Sequence, residues 1–252
     1  VLLQLILLVN NKNIDSKKVL QTINMLQSTS ASYLLMASID GARYNLVNNG
    51  EEQLSKALNL SRYAKGKLNK LKGINVISTE LLKNDGVKFI DETKLCINVK
   101  ALNLTGHEVY DLLYKEFDVQ VELGDLYNIL ALVSIGTTRW DIDKLIKALD
   151  IISKVYSKNK SLNEIDIKQI NPIVKLNPRN AFYSEKESVN IGECVNRICG
   201  ESIMAYPPGI PIISPGEMIT QEIIDYINLL KENNAHLTDM KDKSLETILV
   251  IK

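Results

Sequence analysis

The sequence predicts an α/β protein in three parts, and three observations carry that prediction. Apolar residues make up 45% of the 252 positions, enough for a sizeable buried core. Between residues 73 and 156, short β-branched runs alternate with helical periodicity, the pattern of sheet and helix packed in layers, as a compact α/β or α+β domain. On either side the character changes: residues 1–72 read as a strand followed mostly by helix, and residues 157–252 as a separate α+β unit.

The opening "VLLQLILLVN" reads as a buried strand, too short to cross a bilayer and without the basic start or small-residue cleavage site of a secretion signal. A chain that begins mid-strand, without an initiator Met, is expected to be the remainder of something longer. Val19, Ile23 and Leu26 then recur at helical spacing, with Asp15 or Ser16 as N-cap. The polar "QSTSAS" separates this helix from a second one that starts near Tyr33, with a break expected at Asn48 to Gly50 and only local weakening at Gly66. The middle block reads as strands "INVIST" and "TKLCINVK", helix "TGHEVYDLLYKEF", strands "VQVELG" and "NILALVSI", and helix "TTRWDIDKLIKALDIISKVY". In that last helix Thr138 and Asp141 form a capping-box pattern, while Leu145, Ala148, Leu149 and Ile152 share one face. The final unit holds short strand-like runs, a proline-rich segment and the helix "TQEIIDYINLLKEN".

Composition removes several function classes. Thirty basic residues balance thirty acidic ones without a basic block, which argues against a nucleic-acid partner. Three cysteines, Cys96, Cys194 and Cys199, form neither a closed disulfide set nor a zinc module; they read as buried fillers in a reducing cytoplasm. No P-loop, dinucleotide fingerprint, H-E-x-x-H or G-x-S-x-G occurs. His107, at a helix start beside Glu108, and His236, in a polar tail, both read as surface residues.

Four candidate features remain, each with a plainer alternative. Ser28, Thr29 and Ser30 lie beside a helix N-terminus, where hydroxyls and free N–H groups either hold a phosphate or simply cap. Glu201 precedes "AYPPGIPIISPGE", which packs four of the chain's six prolines into nine residues and so suits neither a helix interior nor a central strand. A carboxylate beside such a rigid apolar wall is suited to a cationic group, or else caps and solvates. Glu122 in "VQVELG" and Arg179 in "NPRNAF" are open in the same way, as ligand contacts or as surface charges.

The segment "YPPGIPIISPGE" followed by "MITQEIIDYI" resembles the C-terminal signature of the pyridoxal-phosphate-dependent ornithine/lysine/arginine decarboxylases, of the aspartate-aminotransferase-like fold type I. "LQSTSASYLLMASIDGAR", "DETKLCINV", "LTGHEVYDLL", "VQVELGD", "SIGTTRWDIDKLIKAL" and "NPRNAF" resemble further family segments in the right order; Ala31 stands where the family has Pro, and "LQLILL" around Gln4 is more apolar than usual. The resemblance implies the C-terminal half of a short bacterial member. Residues 1–72 are then a remnant of the cofactor-binding large domain, 73–156 a small α/β sandwich domain and 157–252 the closing unit. It implies that the Schiff-base lysine lies just upstream of Val1, that Ser28, Thr29 or Ser30 contacts the phosphate of pyridoxal 5'-phosphate, that Glu201, with Glu122 behind it, faces the substrate's cationic end, and that Arg179 either orients the substrate carboxylate or makes a structural ion pair. The expected reaction releases CO2 from arginine, lysine or ornithine to give a polyamine-type amine. The expected setting is a cytoplasmic homodimer or higher homo-oligomer, with no membrane or nucleic-acid partner, joined to the missing N-terminal half and inactive alone. The alternative is a non-catalytic remnant that oligomerises or binds a partner.

Overall fold

The computed structural model describes residues 12–27, 30, 32–157, 171–206, 209–232 and 235–252. The expected opening strand at 1–10 lies outside the described residues. The chain divides into two compact units, Val1–Lys56 and Ala57–Lys252. Among the described residues no helix is long and apolar enough to cross a membrane.

In the first unit, α1 (Ser16–Leu26) is capped by Asp15, whose carboxylate accepts the Lys17 N–H at 3.0 Å. α2 (Tyr33–Leu68) then runs for 36 residues. The expected break at Asn48 to Gly50 does not occur. Side chains bridge that stretch instead: Asn48 Nδ2 donates to Tyr44 O at 2.7 Å, Asn49 Nδ2 to Asn45 Oδ1 at 3.1 Å, and Asn45 Nδ2 to Gln53 Oε1 at 2.9 Å. Bonds one and two turns apart offset the poor propensity of Asn and Gly.

The second unit begins within α2, where Ala57, Ala64 and Leu68 enter a core with a four-stranded antiparallel sheet of order β1-β2-β4-β3. The strands are β1 (Asn75–Val76), β2 (Lys94–Asn98), β3 (Leu123–Gly124) and β4 (Asn128–Leu132). Register places Leu95 opposite Ala131 and Ile97 opposite Ile129. One face of the sheet therefore carries four buried apolar side chains. Two helices cover it: α3 (Gly106–Phe117) brings Val109 and Leu113, and α4 (Arg139–Val155) brings Ile142, Leu145, Ala148, Leu149 and Ile152. The α4 capping box forms as the sequence predicts, with Asp141 N–H to Thr138 Oγ1 at 3.3 Å and Thr138 N–H to Asp141 Oδ2 at 2.8 Å.

The C-terminal part holds α5 (Pro178–Tyr183), the antiparallel pair β5 (Lys186–Asn190) and β9 (Thr247–Ile251), and a three-stranded sheet of order β7-β6-β8. Its strands are β6 (Ile203–Ala205), β7 (Ile210–Ile213) and β8 (Leu237–Thr238), and α6 (Gln221–Glu232) packs beside it. Pro211 sits in β7, an edge strand, where its missing N–H costs no ladder bond on the open side. Cys194, Cys199, Ile203, Ile213, Ile219, Ile223, Ile227, Leu245, Ile248 and Val250 form a second core. Gly216, at φ 94°, accepts the N–H groups of Lys175 and Leu176 at 2.9 and 3.0 Å and donates to Cys199 O at 2.8 Å, tying segment 171–176 to this core.

Candidate ligand-binding cleft

A cleft of about 670 Å³ opens within the second unit, between the α3 start with the β3–β4 turn on one side and β7 with α6 on the other. Its first wall is set by backbone contact. A Cβ at Gly106 would collide with the carbonyls of Asn128 and Asp125, so only glycine lets the helix start meet the turn. The N–H groups of Gly106 and His107 donate to Leu126 O at 3.3 Å and Asp125 O at 3.1 Å, and Thr105 and Glu108 complete a capping box. The turn itself is an Asx turn: Asp125 Oδ1 accepts the N–H groups of Tyr127 and Asn128, each at 2.7 Å.

The opposite wall is the proline segment. Ile210, Pro211, Ile212 and Ser214 line it, and Glu217 Oε2 accepts the Ser214 N–H at 2.8 Å, closing the bend after β7. Tyr226 and Leu230 of α6 complete the lining. The cleft is thus mostly apolar, with polar groups at a few places, the usual build of a small-molecule site.

Its electrostatics have one sign. Asp125 and Glu217 are the charged lining residues, and no lysine or arginine is among the described lining. Burial pushes the Tyr226 phenol above its ordinary pKa, with Asp125 adding to the rise, and burial lowers His107 while Asp125 and Asp111 oppose it. The Asp125 charge is therefore felt on both sides of the cleft. The Tyr127 hydroxyl is buried and has no hydrogen-bond partner among the described residues. Lys100 lies over the Tyr127 ring, 5.1 Å from its centroid, but is not a lining residue.

The sequence-predicted residues fall elsewhere. Ser28 and Thr29 lie outside the described residues, and Ser30 is exposed in the first unit. Glu201 is buried with both carboxylate oxygens engaged: Oε2 accepts Lys241 N–H and Oε1 accepts Leu249 N–H, each at 2.6 Å. It joins backbone segments and is not part of the cleft lining. Glu122 is exposed, and Arg179 is exposed in the first turn of α5, with no ion pair among the described residues. His107 departs from its surface reading, because the close approach of the β3–β4 turn half-buries it in the cleft wall. Asp125, Glu217, Tyr127 and Tyr226 were not singled out by the sequence. "DLYN" reads as a turn, "SPGE" as the end of a loop, and Tyr226 as one more position on an amphipathic helix.

The described cleft does not fit pyridoxal phosphate. It offers no lysine for the aldehyde and no cation for the phosphate, and the N–H groups of Gly106 and His107 are already spent on the turn. Among the described residues no group of three or more His, Cys, Asp or Glu is placed to hold a metal ion.

Comparison with known proteins places the chain. The family model "Orn/Lys/Arg decarboxylase, major domain" matches residues 4–141, and "Orn/Lys/Arg decarboxylase, C-terminal domain" matches residues 163–240. The chain belongs to the Orn/Lys/Arg decarboxylase family. Within that family it is 38% identical over 242 residues to the arginine decarboxylase of Bacillus subtilis, covering 95% of this chain and 49% of the relative. It is 37% identical over 249 residues to that of Bacillus anthracis, covering 97% and 49%. The inducible lysine decarboxylase of Escherichia coli K12 is 37% identical over 75 residues only, 27% of this chain and 10% of the relative. In fold it is similar to the Francisella novicida lysine decarboxylase, with a TM-score of 0.74 at 20% identity, covering 95% of this chain and 46% of that one. The chain spans about half the length of these arginine decarboxylases.

Proposed function

We propose that this chain is the C-terminal portion of a pyridoxal-phosphate-dependent decarboxylase of basic amino acids, of the short bacterial type, and that its substrate is arginine. The observation that carries the reading is the 38% identity, sustained over 95% of the chain, to a protein named arginine decarboxylase; the likeness to the lysine enzyme of Escherichia coli spans 27%. When bound, pyridoxal phosphate supplies the electron sink that lets the α-carboxylate leave as CO2. On this reading the lysine that joins the cofactor precedes Val1, and Ser28, Thr29 and Ser30 stay as the proposed phosphate contacts. The complete enzyme works as a cytoplasmic homo-oligomer. The described residues contribute an apolar, anionic cleft suited to an alkyl stem ending in a cation.

The test is radiometric CO2 release from labelled arginine, lysine and ornithine, using the 252-residue chain and the product of its gene read in frame from upstream of Val1. The short chain should release no CO2 and the longer product should act on arginine. Preference for lysine or ornithine overturns the substrate. A longer product inert on all three favours the non-catalytic remnant.

A further inference from the structure

We infer that the cleft formed by the β3–β4 turn, β7 and α6 selects a carboxylate-free aliphatic amine or guanidine over the parent amino acid. It is thereby a site for the product class of the reaction, and this rests on the proposed function only for the choice of probe.

Three features of the cleft combine. Its charged lining is two carboxylates, Asp125 and Glu217, with no lysine or arginine beside them among the described residues. A cationic head gains charge-assisted bonds there, whereas an α-carboxylate meets two like charges with no lysine or arginine among the described lining residues to offset them. The walls between the polar groups are apolar, Ile210 and Ile212 from β7 and Leu230 from α6, and so match an alkyl stem instead of a second charge. The Tyr226 phenol in the lining offers an oxygen that can accept from an N–H donor. Removing the carboxylate of a basic amino acid yields a molecule of this description, while the amino acid itself fails the charge condition.

The experiment is isothermal titration calorimetry of the 252-residue chain with agmatine, the decarboxylated form of arginine, and with arginine. Agmatine should bind at least about tenfold more tightly, since one unpaired charge is worth that much or more. Asp125→Asn, which keeps an oxygen for the Asx turn, and Tyr226→Phe, which keeps the ring, should each weaken agmatine several-fold with unchanged circular dichroism. Arginine binding as tightly as agmatine, or agmatine affinity indifferent to both substitutions, overturns the inference. The outcome is separable from the proposed function: Asp125-dependent agmatine binding in a gene product that releases no CO2 sinks the enzymatic reading alone. An active enzyme whose cleft ignores agmatine sinks the inference alone.

Discussion

Glu201 holds two stretches of backbone that are distant in sequence, through Lys241 N–H and Leu249 N–H, and it is 8% exposed. Truncation strands two N–H groups in a largely buried site, and bonds to a charged acceptor are the strong ones. Glu201→Ala should therefore lower stability by about 3 kcal/mol, read from urea unfolding, and leave agmatine affinity unchanged. A stable variant with weakened ligand binding would instead restore the substrate-facing role that the resemblance implied. The case also marks what a sequence carries at this scale. That a carboxylate stands before the proline motif is legible; its partners, 40 and 48 positions away, are not, because no local period connects them. Asp125 and Tyr226 are obscured for the same reason: each obeys a local rule, turn or amphipathic helix, and becomes a binding candidate only when the fold brings their walls together.

Among the elements, the capped and periodic ones agree with the sequence. α4 starts where its capping box puts it and buries the predicted face, since both signals are set within a few turns. Strands are shorter than the apolar runs that announce them, "VQVELG" giving only Leu123–Gly124, because pairing partners decide where a ladder ends. α2 overrides its own weak centre through side-chain bonds that single-residue propensities do not count. The bend after β7 depends on one glycine. A side chain at Gly216 would be strained at φ 94° and would press on the Leu176 carbonyl, so Gly216→Ala should cost roughly 3 kcal/mol and release segment 171–176 first. Hydrogen exchange would locate the loss: faster exchange at Lys175 and Leu176 with α4 still protected is expected, and uniform protection would refute it.

For the molecule as a whole, the two cores have separate memberships, one around the four-stranded sheet and one around Cys194, Cys199 and α6. Burial pushes the Cys199 thiol up to about 12 and raises that of Cys194, so neither carries appreciable thiolate near neutral pH. The two sulfurs therefore act as a built-in clock for the C-terminal core: a thiol reagent reaches them only as often as that core opens. Timed alkylation followed by mass spectrometry should find both untouched in the native chain at pH 8 and modified together as urea rises, whereas prompt modification of Cys199 without denaturant would contradict the burial. Because the reagent reads opening and not chemistry, the same clock run with and without agmatine would show whether a ligand seated in the cleft against Tyr226 and Leu230 slows the opening of that core.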